Sequence, residues 1–183
     1  MSKARDLANA GTALTTVSAT ELGYLDGVTS AVQTQINTKA ALAGPTLTSP
    51  IVISPEERTT VSATAATGTV NFDALTQGVL YYTSNASANW TLNVRGNSGT
   101  TLNSILATGD ALTVSFLVTN GSTAYYQTAF NIDGTTSGVT LEYSGGTVPA
   151  SGNASSVDVY TFTIIKTASA TYTVFGAGPI KYA

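Results

Sequence analysis

The sequence predicts a mainly-β fold, an antiparallel, jelly-roll-like β-sandwich head preceded by a short α-helical stem. Three observations predict it. Only 9% of the 183 residues are charged, where an ordinary soluble domain has about 25%, so solubility rests on neutral polar groups. Those groups are 33 Thr and 18 Ser, and Thr is β-branched, so the residues that wet the surface also favour strands. From Thr59 onward, runs of alternating polarity recur between turn residues, giving about eight or nine strands at the spacing of a sandwich. A hydrophobic content of 43% is enough to fill a core between two such sheets.

The character of the chain changes near Gly44-Pro45, and we divide it into a stem (1–43), a Pro-rich extended neck (44–58) and a β-sandwich head (59–183). In the stem, Ser18-Ala19-Thr20-Glu21 fits a capping box, with Ser18 capping a backbone N–H and Glu21 reaching back to the cap residue. A short helix through Leu25 follows. Asp26 then caps a second helix to about Ala41, whose apolar positions Val28, Val32, Ile36 and Ala40 form one narrow stripe. A lone helix of this length is marginal in water. The stripe therefore needs a partner, either copies of itself or the chain's own C-terminal domain. In the neck, Pro45, Pro50 and Pro55 recur around Leu47 and Ile51-Val52-Ile53, which keeps the backbone extended.

Within the head, the strand candidates are 70–75, 79–83, 90–94, 112–118, 126–132, 139–143, 157–166 and 172–175. Leu112, Val114, Phe116 and Val118 alternate with polar residues, then come Asn120-Gly121 and a second alternating run through Tyr126, Phe130 and Ile132. An Asn-Gly pair between such runs predicts a hairpin. Val70 and Phe72 stand opposite Asn71 and Asp73, as do Trp90, Leu92 and Val94 opposite Thr91 and Asn93, the pattern of half-buried strands. The 157–166 run is apolar on both parities, with Tyr160, Phe162 and Ile164 on one and Val157, Val159 and Ile165 on the other. One of its faces is expected to meet a neighbouring subunit.

Most active-site chemistry is excluded by composition. There is no His and no Cys, which removes the commonest general base, zinc ligand and thiolate nucleophile. The acids of the head, Asp73, Asp110, Asp133, Glu142 and Asp158, are isolated in sequence, and Asp133-Gly134 is an ordinary turn pair. Glu56-Glu57 precede Arg58 in the neck, which reads as a solvated charge cluster or an intersubunit ion pair. Gly176-Ala177-Gly178-Pro179 reads as a bend, because Pro179 blocks the helix that a phosphate loop requires. We therefore expect no catalytic residue, no cofactor and no metal. Seven Lys and Arg against a net charge of −3 leave no basic stripe for nucleic acid. No apolar run has the length of an export signal or a membrane span. The adjacent pairs Tyr81-Tyr82 and Tyr125-Tyr126 place one ring on each face of a strand. Tyr82, Trp90 and Tyr125 are the candidates for contact with a receptor, through sugar stacking in a surface groove, and core or interface packing is the competing role for these rings.

Two sets of residues carry a resemblance. Leu22-Gly23-Tyr24-Leu25-Asp26-Gly27-Val28 and the helix after it, followed by Gly44-Pro45-Thr46-Leu47-Thr48-Ser49-Pro50, resemble the linker and neck of phage tail fibres. In the head, the segments 116–126 and 158–167 are similar to the terminal domain of tail-fibre-like virion proteins of marine cyanophages. The resemblance implies a homotrimeric virion structural protein without catalytic activity, assembled in the host cytoplasm. Val28, Val32 and Ile36 would lie near the three-fold axis, the N-terminus would join another virion protein, and the head would meet a host surface glycan or protein. A capsid-attached head fibre or decoration protein is the alternative, since the long repetitive shaft of many fibres is missing.

Overall fold

The computed structural model describes residues 56–183, together with Lys3, Ala4, Ser18, Thr20, Glu21 and Tyr24. The chain divides into two compact units, Met1–Ile53 and Ser54–Ala183. In the first, the capping box at Ser18 is formed: Glu21 N donates to Ser18 Oγ at 3.1 Å, and Ser18 N and Oγ both donate to Glu21 Oε2 at 2.7 Å. These bonds, led by the one from the Ser18 backbone, hold the Glu21 carboxyl below its usual range. The stem positions Val28, Val32 and Ile36, and the neck up to residue 55, lie outside the described residues.

The second unit has nine strands in the order β1 (Thr59–Ala65), β2 (Gly68–Asp73), β3 (Val79–Ser84), β4 (Trp90–Arg95), β5 (Ala111–Asn120), β6 (Gln127–Ile132), β7 (Val139–Tyr143), β8 (Ser156–Ala168) and β9 (Thr171–Tyr182). A single helical turn, α1 (Leu102–Ile105), lies between β4 and β5. The strands form a six-stranded sheet, ordered β1-β3-β5-β8-β9-β7, and a three-stranded sheet, ordered β2-β4-β6. From β1 to β6 the chain steps from one sheet to the other at every connection. Each strand then pairs in parallel with the strand two before it. This makes three turns of a flat coil. The crossover that parallel strands require, usually a helix, is supplied here by a strand of the opposite sheet. Only β5 with β8 and β8 with β9 are antiparallel, while β7 joins β9 in parallel.

The mainly-β character therefore stands, and the purely antiparallel, jelly-roll topology is corrected to mixed sheets. The expected Asn120-Gly121 hairpin is corrected with it. β5 pairs with β3 and β8, whereas β6 lies in the other sheet beside β4. A tight hairpin turn of this type needs left-handed backbone at both central residues, and neither Asn120 nor Gly121 has a positive φ. The Asn120 side chain instead donates to Tyr125 O at 3.0 Å and to Asp158 Oδ2 at 3.1 Å. These bonds tie the crossing between the sheets to β8.

The two sheets share one core. Val70 and Phe72 of β2, Trp90, Leu92 and Val94 of β4, and Phe130 and Ile132 of β6 meet Leu80, Val114, Phe116, Val118, Tyr160, Phe162, Ile164 and Val174 from the other sheet. Rings cross the interface. Trp90 stands edge-on to Phe116 and to Tyr160, both at 6.0 Å, and Phe130 lies 4.6 Å from Phe162. In β8 the Tyr160, Phe162 and Ile164 parity is buried and the Val157, Val159 and Ile165 parity half-buried. The segment 176–179 is part of β9 and not a bend. Gly176 belongs there because a Cβ would press on the rings of Phe162 and Tyr143.

Candidate ligand-binding pocket

The register of the coil sets polar residues side by side on the outer face of the three-stranded sheet. Asn71, Asn93 and Asn131 stand in one row, and Asp73 is beside Arg95 in the next. Asn93 Nδ2 donates to Asn71 Oδ1 at 2.8 Å. Arg95 Nε donates to Asp73 Oδ1 at 2.6 Å, with both side chains partly exposed. An ion pair at the surface adds little stability. Its effect here is to fix the plane of the guanidinium.

The second turn of the coil is longer than the first, running from Val79 to its neighbour Ser115, and the extra chain between β4 and β5 walls the pocket. Leaving β4, Gly96 passes so close to Thr100 O that a Cβ would stand 2.7 Å from it. A tight turn follows, with Asn97 N donating to Thr100 O at 2.9 Å and Gly99 N to Asn97 Oδ1 at 2.8 Å. Thr101 then caps α1 by accepting from Ser104 N at 3.2 Å.

Both ends of α1 are fastened to distant strands. Asp133, just after β6, accepts from Leu102 N at 2.6 Å and from Asn103 N at 3.0 Å, so a carboxylate sits on the free amides of the first turn. Asp133 and Gly134 have φ of 51° and 84°, and the Ile132 and Thr135 backbones bond reciprocally at 3.0 and 3.1 Å. The Asp-Gly pair is thus the turn expected from the sequence. Gly134 N reaches Asn93 Oδ1 at 2.7 Å, locking the turn onto the row of asparagines. At the other end, the buried Lys166 ammonium donates to Asn103 O at 2.6 Å and Leu106 O at 2.8 Å. It neutralises the carbonyls of the last turn.

These elements border an open pocket of about 310 Å³ whose walls include Asn93, Arg95, Asn97, Thr100, Asp133 and Gly134. No aromatic ring lines it. Asp110, Asp133 and Asp158 are each engaged by backbone amides, Asp110 by Ala107 N and Asp158 by Asn153 N. These three acids thus act as acceptors for backbone amides of the fold. Among the described residues, no three His, Cys, Asp or Glu side chains converge as metal ligands.

The residues chosen from sequence for receptor contact lie elsewhere. Trp90 is only 1% exposed and points into the core, so its ring lines no surface groove. Tyr82 is half-buried and stands edge-on to Phe116 at 5.4 Å; burial pushes its hydroxyl pKa up. Tyr125 packs partly buried against the same core. Trp90 thus belongs to the core, while Tyr82 and Tyr125 each keep part of their surface exposed. The pocket residues Asn93, Arg95 and Asp133 were not singled out for binding. Their signal was an Asn, Arg or Asp on the polar parity of β2, β4 and β6, every second strand along the chain, and Lys166 was visible as a cation on the buried parity of β8.

Searches against protein-family models, curated proteins and solved structures find no match to this chain.

Proposed function

We propose that this chain is a non-enzymatic structural protein of a virus particle, a short homotrimeric fibre whose β head contacts the host surface. One observation carries the reading. On the outer face of the six-stranded sheet, Val61, Tyr81, Leu117, Val159 and Ile180 form a continuous row across β1, β3, β5, β8 and β9. Val61 and Ile180 are 63% and 47% exposed. Val157 and the exposed Tyr182 extend the row on the next register. The row spans ~19 Å at the usual strand spacing and contains no charged side chain. We read this exposed apolar row as an interaction surface, and an uncharged one offers nothing that repels a second copy of itself.

The segments that resemble cyanophage fibre proteins, 116–126 and 158–167, include parts of β5 and β8, whose outward parity contributes Leu117 and Val159 to this row. β5 and β8 are antiparallel neighbours at the centre of the sheet, with Leu117 opposite Val159. In the proposed assembly the stem stripe of Val28, Val32 and Ile36 gathers three copies, the N-terminus joins another virion protein, and the sheet faces bury one another. Exposed strand edges, which few charges guard in this chain, are shielded at the same time.

Size-exclusion chromatography with light scattering tests the reading. The full chain is expected at three times 18.6 kDa. Deletion of residues 1–43 is expected to weaken assembly, and Leu117→Glu with Val159→Glu to reduce the mass without changing the circular dichroism of the head. A stable monomer at micromolar concentration would sink the proposal.

A further inference from the structure

We infer that the pocket bounded by Arg95, Asn97, Thr100 and Asp133 binds a neutral polyhydroxylated ligand, a pyranose unit of a saccharide. The inference deepens the reading of the head as a surface-contacting module and rests on it for biological meaning, though not for its chemistry.

The volume of about 310 Å³ lies at the small end of the range for ligand pockets, whose walls are usually apolar with a few polar groups. Here polar groups make up about as much of the wall as apolar ones, and they include side-chain amides, hydroxyls, a guanidinium and a carboxylate. An apolar ligand would leave those groups unsatisfied. An anion is opposed because the one cation of the wall, Arg95, is already paired with Asp73 at 2.6 Å and Asp133 adds a negative charge. A metal ion is opposed because, among the described residues, no three His, Cys, Asp or Glu side chains converge here, and Asp133 is the one carboxylate of the wall.

What remains is a set of donors and acceptors held in fixed planes. Arg95 uses Nε on Asp73, and among the described residues its two terminal nitrogens donate no hydrogen bond. Asn97 accepts from Gly99 N through Oδ1, which leaves Nδ2 as a donor. Each Asp133 oxygen keeps a second acceptor site beyond the amide it holds. Adjacent ring hydroxyls of a sugar each offer one donor and two acceptor sites, and a planar amide, carboxylate or guanidinium can take two of them at once. The groups need little ordering on binding, because Asp133 and Lys166 fix both ends of α1 and Gly134 fixes Asn93. Preorganisation of this kind lowers the entropic cost of association. With no ring to stack on, a single sugar is expected to bind with a dissociation constant on the order of 1 mM.

Saturation-transfer difference NMR on the full chain tests this, with glucose, galactose, mannose and N-acetylglucosamine offered separately. At least one sugar is expected to receive saturation and to shift the amide signals of Gly99, Thr100 and Gly134. Gly99→Leu is the blocking variant. A Cβ there meets only Asn97 Oδ1 within 4 Å, at 3.8 Å, and Gly99 borders the pocket, so the variant is expected to fold and to lose saturation transfer. Asn97→Ala is expected to weaken binding about tenfold, the loss of one hydrogen bond to a ligand. Failure of all four sugars, shifts confined to other amides, full binding by Gly99→Leu, or tighter binding of inorganic phosphate or calcium at these amides each overturns the inference. Light scattering on the same samples keeps the two readings apart. A trimer that binds no sugar refutes the pocket alone, and a monomer that binds sugar refutes the assembly alone.

Discussion

Replacing Asp133 by Asn isolates the contact that holds the pocket wall in place. The backbone there has a φ of 51°, which Asn tolerates better than other residues, so the turn itself is preserved. Asp133 satisfies Leu102 N and Asn103 N with separate oxygens at 2.6 and 3.0 Å. Asn presents one carbonyl oxygen and no charge. One amide loses its acceptor, and the other keeps a neutral bond in place of a charge-assisted one. Hydrogen bonds to charged groups contribute roughly 1.5–3 kcal/mol and neutral ones about 1 kcal/mol, so a loss of about 2–3 kcal/mol is expected. Because Leu102 is fully buried in the core, the loss should register in global stability as well as locally. Urea denaturation measures the global part, and hydrogen exchange should show the Leu102 and Asn103 amides at least tenfold less protected. A midpoint within about 0.5 kcal/mol of the wild type, the scatter of an ordinary surface substitution, together with unchanged protection of both amides, would refute the reasoning.

Three further outcomes are expected. Lys166→Met removes the cation from the carbonyls of Asn103 and Leu106 while keeping an apolar side chain of similar length. It is expected to destabilise the head by about 1–3 kcal/mol, measured by urea denaturation, and unchanged stability would show that the ammonium contributes nothing. Gly138→Ala places a methyl against Ala170 O at a φ of 75°, and should lower stability by more than ~1 kcal/mol; an unshifted melting temperature would count against the described turn. Burial raises the hydroxyl pKa of Tyr143 and of Tyr172 to about 12, so both stay protonated in the folded chain where an unfolded tyrosine ionises near pH 10. Their stabilising effect is therefore intact below pH 10 and is lost as pH rises to about 12. Tyr143 alone accounts for roughly 2–3 kcal/mol. Circular dichroism with absorbance at 295 nm follows both events, and ionisation of all tyrosines near pH 10 in a folded chain would refute it.

What was legible in the sequence was whatever depends on neighbours along the chain. The alternation of Val70 and Phe72 with Asn71 and Asp73 gave a half-buried strand, Asp133-Gly134 gave a turn, and Ser18 with Glu21 gave a cap. Pairing partners were not legible. A half-buried strand alternates in the same way whether its neighbour is parallel or antiparallel, so Asn120-Gly121 between two good strands looked like a hairpin. The cue that favours the coil is the fate of the Asn120 amide, which bonds to Tyr125 and Asp158 across the crossing. That depends on residues up to 38 positions away. Trp90 misled for a related reason: a large ring on a strand with a polar opposite parity reads equally well as an exposed platform or a core residue, and only the facing sheet decides. The pocket was hidden because Asn93 and Arg95 meet Asp133 and Gly134 only after β4 and β6 come into register.

The outer faces of the two sheets follow from the coil and carry opposite chemistry. In β1 to β6 the residues facing out are read alternately onto one sheet and then the other. The six-stranded sheet collects Val61, Tyr81, Leu117 and Val159, and the three-stranded sheet collects Asn71, Asn93, Arg95 and Asn131. With the sheets packed face to face over one core, these two surfaces look in opposite directions. In the proposed assembly, the apolar face can be fully occupied by neighbouring copies while the polar face and its pocket stay open to solvent. A substitution that breaks assembly, such as Leu117→Glu, should therefore leave sugar binding by the pocket unchanged, and Gly99→Leu should leave assembly unchanged. Coupling between the two would mean that the faces are not the independent surfaces that the coil topology makes them.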